Sequence, residues 1–179
     1  NASNPCSEYM FLDNSACNLA SLNLMKFVDD NGAFDVDRFK HAVRLFTMAQ
    51  EIIVDNASYP TEPIAANSHR FRALGLGYAN LGALMMRLGL PYDSDAGRAF
   101  AGAVTAVMTS QAYLASQDMT RTHGPFDGFA ENEECMRAVM HMHRAALDGI
   151  DRAIAPTELL DEAVRLWNEV IDNADRGVP

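Results

Sequence analysis

The sequence predicts a mainly α-helical chain, with about five helices that follow an extended N-terminal loop. Apolar residues recur at three- and four-residue steps over long stretches after residue 35, which is the period of one helix face. Capping residues and Gly or Pro breakers bound these stretches. Strong strand patterns are absent after residue 30, and 179 residues are enough for one domain with a sizeable core.

The N-terminal part is expected to be irregular. Residues 1–27 are predicted to form a loop and then an extended stretch, in which Leu19, Leu22 and Leu24 are the apolar anchors. The following Asp29-Asp30-Asn31-Gly32 is a turn signal, because Asp, Asn and Gly favour the backbone conformations that turns require.

Capping signals define the helices. Asp35 is a suitable N-cap for a first helix over about 36–56, and Thr157 is one for the last helix. Gly89, with Pro91 beyond it, ends the second. The four later helices cover about 70–88, 93 or 94 to 121, 131–147 and 158–174. The expected buried stripes of the first and last helices are Val36, Phe39, Val43, Phe46 and Ile53, and Leu160, Val164, Trp167 and Ile171.

Composition limits the kinds of binding partner and the cellular compartment that we expect for the chain. The formal net charge of −10 disfavours binding to nucleic acid or to anionic membranes. No apolar run approaches the roughly 20 residues of a membrane span, and no signal-peptide pattern occurs. Three cysteines without paired spacing are typical of a reducing compartment, so a cytoplasmic location is expected.

The position of the most reactive motif suggests that the chain is a piece of something larger. The sequence does not begin with Met, and Asn4-Pro5-Cys6-Ser7-Glu8 lies close to its start. A catalytic loop needs walls on both sides. We therefore expect 1–179 to be a single fragment of a larger enzyme, with a loop and extended stretch at 1–27 and a helical region at 35–175.

That motif places three reactive groups close together. Pro5 fixes its own φ and disfavours a helical conformation of Asn4, so an extended segment is expected. In an extended segment Asn4, Cys6 and Glu8 share one face. An amide, a thiol and a carboxylate side by side favour chemistry at sulfur. Taken singly, Cys6 also fits a buried structural thiol, Glu8 a solvated acid, and Asn4 a turn residue before proline.

Two sequence blocks resemble the catalytic chain of the adenosylcobalamin-dependent (class II) ribonucleotide reductases. The first block has the Asn-x-Cys-x-Glu pattern at Asn4–Glu8 and continues through Ala16-Cys17-Asn18-Leu19-Ala20-Ser21-Leu22-Asn23-Leu24. The second is Arg72-Ala73-Leu74-Gly75-Leu76-Gly77-Tyr78-Ala79-Asn80-Leu81-Gly82, expected to be helical. The resemblance implies an α/β parent, a ten-stranded barrel into which the first residues project as the active-site finger loop.

The resemblance also implies roles for the N-terminal residues. Cys6 would form a transient thiyl radical that abstracts the 3′-hydrogen of a ribonucleotide, and Glu8 would take the proton of the 3′-hydroxyl. Asn4 would orient the ribose hydroxyls, with Ser7 beside it as a further substrate contact. Cys17 would be one half of a redox pair that reduces the substrate. Its partner cysteine is expected upstream of this chain.

The same resemblance implies a cofactor and partners. The cofactor would be adenosylcobalamin, although no residue of this chain can be assigned to it. The partners would be the ribonucleotide substrate, a thioredoxin-like or dithiol reductant and the remainder of the catalytic chain, without nucleic acid or membrane. The isolated fragment is expected to be inactive.

Three alternatives stay open at this stage. The first is the iron- or manganese-dependent class I large subunit, which shares Asn-x-Cys-x-Glu and the redox pair. The second is a non-catalytic helical interaction module with incidental thiols. The third, at a finer level, is a Cys6–Cys17 disulfide in the isolated fragment.

Other motifs predict no site. Gly75-Leu76-Gly77 lacks the third glycine and the preceding strand of a dinucleotide fingerprint, so close helix packing is expected there. His141 and His143 lie on different faces of a helix, and the nearby methionines are expected to fill core space. Cys135 is taken as structural, and no metal site is predicted.

Overall fold

A computed structural model describes residues 2–176 of the chain. Within this range six α-helices are combined with four short strands, which agrees with the mainly helical class predicted for this piece. The strands pair as two separate two-stranded sheets. The helices are α1 Val36–Asn56, α2 Glu62–Phe71, α3 Leu81–Arg87, α4 Asp95–His123, α5 Phe129–Ala146 and α6 Thr157–Asp175, and the strands are β1 Ala2–Ser3, β2 Met10–Phe11, β3 Asn18–Asn23 and β4 Leu74–Ala79.

Strand β4 is the main departure from the prediction. The helix predicted over 70–88 is wrong, because α2 ends at Phe71, β4 follows, and α3 is the only helix that begins within that stretch. Arg72 ends α2 in the left-handed region, with φ of 49°. The alternation of leucine and glycine in β4 is a period-two pattern. Parallel pairing with β3 supplies hydrogen-bond partners for the backbone of β4. Gly89, with φ of +72°, closes α3 as expected.

The pairing of β3 also decides which N-terminal leucines are buried. Leu22 and Leu24 are 3% and 0% exposed, as predicted, whereas Leu19 is 71% exposed. The prediction that Leu19 is an apolar anchor is therefore wrong. Successive side chains of a strand point to opposite faces, so an odd spacing from Leu22 places Leu19 on the face away from the helices.

Helix α1 begins where the sequence predicts. Asp35 caps it, its Oδ1 accepting the N–H of Arg38 at 2.9 Å. The buried face is only partly as expected, because Phe46 and Ile53 are exposed. The side chains buried in their place include two polar ones: Thr47, whose hydroxyl bonds a helix carbonyl, and Gln50, which bonds strand carbonyls. Hydrophobicity alone does not identify such residues as buried. The buried side chains of α1 are Phe39, Val43, Thr47, Gln50 and Val54.

The long helix α4 forms the centre of the core by packing against α1 and α6. Ser94 caps it through Oγ, which accepts the N–H of Gly97 at 3.0 Å. In α6, Leu160 and Trp167 are buried as predicted. Thr157 is not the N-cap: it is the first helical residue, and Pro156 precedes it as the N-cap without a side-chain hydrogen bond. The carbonyl of Pro156 accepts the N–H of Leu160 at 3.0 Å.

Within the described part of the chain, no helix is both long and apolar enough to cross a membrane.

Candidate active site

Strands β1 and β2 form a small hairpin whose tip carries the Asn-Pro-Cys-Ser-Glu motif. Ala2 pairs with Phe11 and Ser3 with Met10 in antiparallel register. Between the strands, the N–H of Ser7 donates to the carbonyl of Asn4 at 3.0 Å. Asn4 to Ser7 therefore make a β-turn with Pro5 at its second position, where the fixed φ of proline is favourable.

Asn4 closes the loop from the other side. Its N–H donates to the carbonyl of Tyr9 at 3.2 Å, and its Oδ1 accepts the N–H of Tyr9 at 3.1 Å. The side-chain carbonyl is thus engaged within the loop. What Asn4 can offer a substrate hydroxyl is the Nδ2 amide group, which is a donor.

The predicted extended conformation of this segment is wrong. Residues 4–9 lie in the loop, and Ser7 has a left-handed φ of 61°. Alternate side chains therefore do not share a strand face. The hairpin itself brings the groups together instead, because Cys6, Ser7 and Glu8 all lie exposed at its tip. Ser7 Oγ lies 3.4 Å from Ser3 Oγ.

Cys17 lies in a different environment, half-buried where the chain enters β3. Its Sγ is 3.5 Å from the carbonyl oxygen of Asn18, to which the thiol donates. Helix α2 holds the segment just before it. Ser68 Oγ accepts the N–H of Ala16 at 3.0 Å, and the Asn67 amide donates to the carbonyl of Asp13 at 2.9 Å. Cys17 is thus placed by the fold rather than by a mobile loop.

Electrostatics link the hairpin tip to Cys17. Burial raises the pKa of the Cys17 thiol, and the Glu8 carboxylate raises it further. Burial also raises the pKa of Tyr9, with a smaller contribution from Cys17. Glu8, Tyr9 and Cys17 are therefore electrostatic neighbours, although they come from two separate segments. A raised pKa keeps Cys17 protonated near neutral pH, which suits a hydrogen and electron donor better than a nucleophile.

Thiol alkylation of the reduced protein tests this link. The negative charge of Glu8 disfavours the Cys17 thiolate, so Glu8→Gln is expected to lower the Cys17 pKa and speed alkylation near neutral pH. The measurement is the pH profile of iodoacetamide labelling at Cys17, resolved by peptide mass spectrometry. Cys135, exposed on α5, is the internal control and should label equally in both proteins. An unchanged Cys17 profile would contradict the proximity of the two groups.

Sequence reasoning missed the residues that hold this region from behind. Gln50, 2% exposed on α1, donates from Nε2 to the carbonyls of Asn18 at 3.2 Å and Gly75 at 2.9 Å. The side-chain amide of Asn18 donates in turn to the main-chain carbonyl of Gln50 at 3.1 Å. A glutamine on a helix face that is apolar apart from Thr47 was the available signal, because buried amides need partners.

The remaining sequence motifs lie away from this site. Gly75 and Gly77 lie within β4 rather than in a turn before a helix, so they form no phosphate loop, and the expected helix packing is also wrong. His141 Nε2 lies 3.1 Å from Asp175 Oδ1, whereas the ring of His143 lies beside Trp167. Cys135 is exposed and so has no packing role. Among residues 2–176, no three His, Cys, Asp or Glu side chains are grouped closely enough to hold a metal ion.

The thiols are all free in the structure. Cys6 and Cys17 form no disulfide with each other. Two surface cavities, of about 340 and 590 Å³, are lined by residues of α4 to α6 and by residues of α5. Neither includes a residue of the hairpin, so both are separate from the thiol site.

Comparison with known proteins gives a consistent picture. A family model described as "Ribonucleotide reductase, barrel domain" matches residues 1–177. A vitamin B12-dependent ribonucleotide reductase of Rhodopirellula baltica is 56% identical over 176 residues, covering 98% of this chain and 17% of the relative. One from Agrobacterium fabrum is 53% identical over 149 residues, covering 83% and 12%.

A more distant relative extends the comparison. A vitamin B12-dependent ribonucleoside-diphosphate reductase of Thermoplasma acidophilum is 29% identical over 132 residues, covering 74% of this chain and 17% of the relative. The chain therefore spans less than a fifth of the length of each of these three relatives.

Proposed function

The chain belongs to the ribonucleotide reductase barrel-domain family, and on this premise we propose that it carries the radical cysteine and one reducing cysteine of a longer reductase chain. The complete enzyme would convert ribonucleotides to 2′-deoxyribonucleotides with adenosylcobalamin. One observation supports the proposal most strongly: the hairpin tip presents the exposed Cys6 together with Glu8, and Glu8 is an electrostatic neighbour of Cys17.

Cys6 is proposed to perform the hydrogen transfer. As a thiyl radical its sulfur takes the hydrogen from C3′ of the ribose, forming S–H and leaving the unpaired electron on carbon. The step is reversible because S–H and activated C–H bonds have similar strengths. A hairpin tip suits the task, since the sulfur must reach the sugar while the backbone behind it stays fixed. The same hydrogen returns to C3′ at the end of the cycle.

Glu8 is proposed as the general base. Its carboxylate would accept the proton of the 3′-hydroxyl as the carbon radical forms, within hydrogen-bond reach of the sugar. The Nδ2 group of Asn4 would donate to a ribose hydroxyl, and the exposed hydroxyl of Ser7 would offer a further contact. Because Asn4 is held by two hydrogen bonds to Tyr9, its amide is pre-oriented.

Cys17 is proposed to supply half of the reducing equivalents. The C2′–O bond breaks, and the hydroxyl leaves as water with one added proton. Two electrons and two protons come from Cys17 and a second thiol outside this chain, which end as a disulfide while a C2′–H bond forms. An external dithiol or a thioredoxin-like protein would then reduce that disulfide. The protonated state of Cys17 near neutral pH is the one from which a hydrogen can be given.

No residue of this chain is assigned to the cofactor. The two cavities include no hairpin residue, and the described residues gather no set of metal-ligating side chains. Adenosylcobalamin would supply the one-electron oxidation of a thiol, and the residues that hold it are proposed to lie in the remainder of the catalytic chain.

The alternatives differ in their support. The names of the relatives favour vitamin B12 dependence over an iron- or manganese-dependent class I subunit. Family membership weighs against a non-catalytic interaction module. A cytoplasmic location and the absence of nucleic-acid and membrane partners remain parts of the proposal, based on the free thiols and the acidic charge.

An activity assay of the full-length protein tests the proposal. Ribonucleotides are incubated with a dithiol reductant, with and without adenosylcobalamin, and deoxyribonucleotide is measured. We expect turnover only with the cofactor. Equal turnover without it, or turnover only with an iron or manganese subunit, would contradict the assignment. The 179-residue piece in the same assay is expected to show no turnover.

A further inference from the structure

The face of the β3–β4 pair that carries Cys17 is formed by side chains on one strand and by glycines on the other. In the parallel register Leu19 lies opposite Gly75, and Ser21 lies opposite Gly77. The intervening residues of β4, Leu76 and Tyr78, pack against the core. The glycines of β4 therefore lie on the face away from the helices.

A side chain at position 75 would collide with neighbouring atoms, and this explains the glycine there. Its φ is not in the left-handed region, so backbone conformation does not require glycine there. A Cβ at this position would lie 2.3 Å from Leu19 Cδ2, 3.3 Å from Cys17 Sγ and 3.4 Å from the Asn18 carbonyl oxygen. The Leu19 side chain is exposed and can rotate away from the added Cβ. The next close contact is then with Sγ of Cys17.

Gly77 provides a matched comparison on the same strand and face. A Cβ there would meet only Ser21 Oγ, at 3.8 Å, which is ordinary van der Waals contact. The same Gly→Ala change therefore adds one methyl group two residues away without crowding Cys17.

Gln50 prevents β4 from moving aside. Its Nε2 bonds the carbonyls of Gly75 and Asn18, the two residues that flank the thiol. The Asn18 carbonyl is also the acceptor of the Cys17 thiol. Gln50 Oε1 is buried without a hydrogen-bond partner among the described residues, so the two donated bonds are what stabilise an amide at this position.

We propose that Gly75 is a positioning residue for Cys17: its missing side chain leaves the space in which Sγ lies, and Gln50 fixes the two strands around that space. The catalytic consequence rests on the proposed function. The placement of the thiol does not, because it follows from the strand register and the buried amide. An added methyl group at residue 75 displaces and covers the thiol while leaving the hairpin tip unchanged.

The test uses the full-length protein with Gly75→Ala and Gly77→Ala as the matched pair. In Gly75→Ala we expect iodoacetamide labelling of Cys17 to slow and its pH profile to shift upward, while labelling of Cys6 stays unchanged. Gly77→Ala should match the parent protein at both thiols. Equal Cys17 profiles in Gly75→Ala and the parent, or the same change in Gly77→Ala, would overturn the proposal.

A second variant covers the case in which Gly75→Ala folds poorly. Gln50→Met keeps the side-chain length but removes both donated hydrogen bonds, so Cys17 should become more accessible and label faster. Unchanged labelling in Gln50→Met would also overturn the proposal.

Turnover adds a catalytic readout. With reductase activity in the parent, Gly75→Ala should lower kcat by about tenfold at little-changed KM, because a few tenths of an ångström of misplacement act on the reducing step alone. If the parent protein lacks reductase activity while the labelling results hold, the proposed function fails and the positioning of Cys17 stands.

Discussion

Replacing Cys6 by Ser in the full-length protein is expected to abolish ribonucleotide reduction, with a loss of at least about 10³-fold in turnover. An O–H bond is much stronger than an S–H bond, so a serine at the hairpin tip cannot be converted to the radical or return the hydrogen. The substitution is otherwise nearly isosteric, and Cys6 is exposed. Folding should therefore be unaffected, and the measurement is deoxyribonucleotide formed with adenosylcobalamin and a dithiol.

Cys135→Ser is the matched control for this loss. Both cysteines are exposed free thiols, and Cys135 lies on α5 rather than in the hairpin. We expect Cys135→Ser to keep the activity of the parent protein. Substantial turnover in Cys6→Ser, or an equal loss in Cys135→Ser, would remove Cys6 from the proposed mechanism.

Replacing Cys17 by Ser is expected to have an effect as large on product formation, but at a later step. A serine hydroxyl forms no disulfide and gives no electrons, so the substrate cannot be reduced at C2′. The hairpin with Cys6 and Glu8 remains intact, and hydrogen abstraction at C3′ should continue. The measurements are deoxyribonucleotide yield and, separately, loss of the 3′-hydrogen from the substrate.

The two cysteine variants are therefore distinguishable although neither makes product. If Cys17→Ser retained dithiol-dependent turnover near that of the parent protein, Cys17 would not be part of the redox pair. Loss of both product formation and hydrogen abstraction in Cys17→Ser would instead indicate a defect in folding or substrate binding, and thermal unfolding of the variant would detect the former.

Local signals predicted the starts of α1 and α4 but not those of α2 and α3. Asp35 and Ser94 cap helices through their side chains, and such caps depend on residues within one turn. Strand β4 was missed because the stretch 70–88 has the length of a helix. The alternation of leucine and glycine within it is short. Its conformation depends on pairing with β3, a contact between distant parts of the sequence that single-segment patterns do not contain.

The site shows the same division between local and long-range information. The types of the reactive residues, Asn4, Cys6, Glu8 and Cys17, were identified from the motif and the resemblance, and their roles stay predictions. The hairpin was not predicted, because it depends on a hydrogen bond from the N–H of Tyr9 to Asn4 Oδ1. The residue types of the motif do not reveal that contact. Gly75 is recognised only once the register with Leu19 is known.

The central claim is that Cys6 removes the 3′-hydrogen of the ribonucleotide and that Cys17 acts after that step. A ribonucleotide labelled with tritium at C3′ tests it most directly, with adenosylcobalamin and the full-length Cys6→Ser and Cys17→Ser variants. We predict that Cys17→Ser releases tritium from C3′ without forming deoxyribonucleotide, whereas Cys6→Ser releases none. Tritium release by Cys6→Ser at the rate seen in Cys17→Ser would contradict the account.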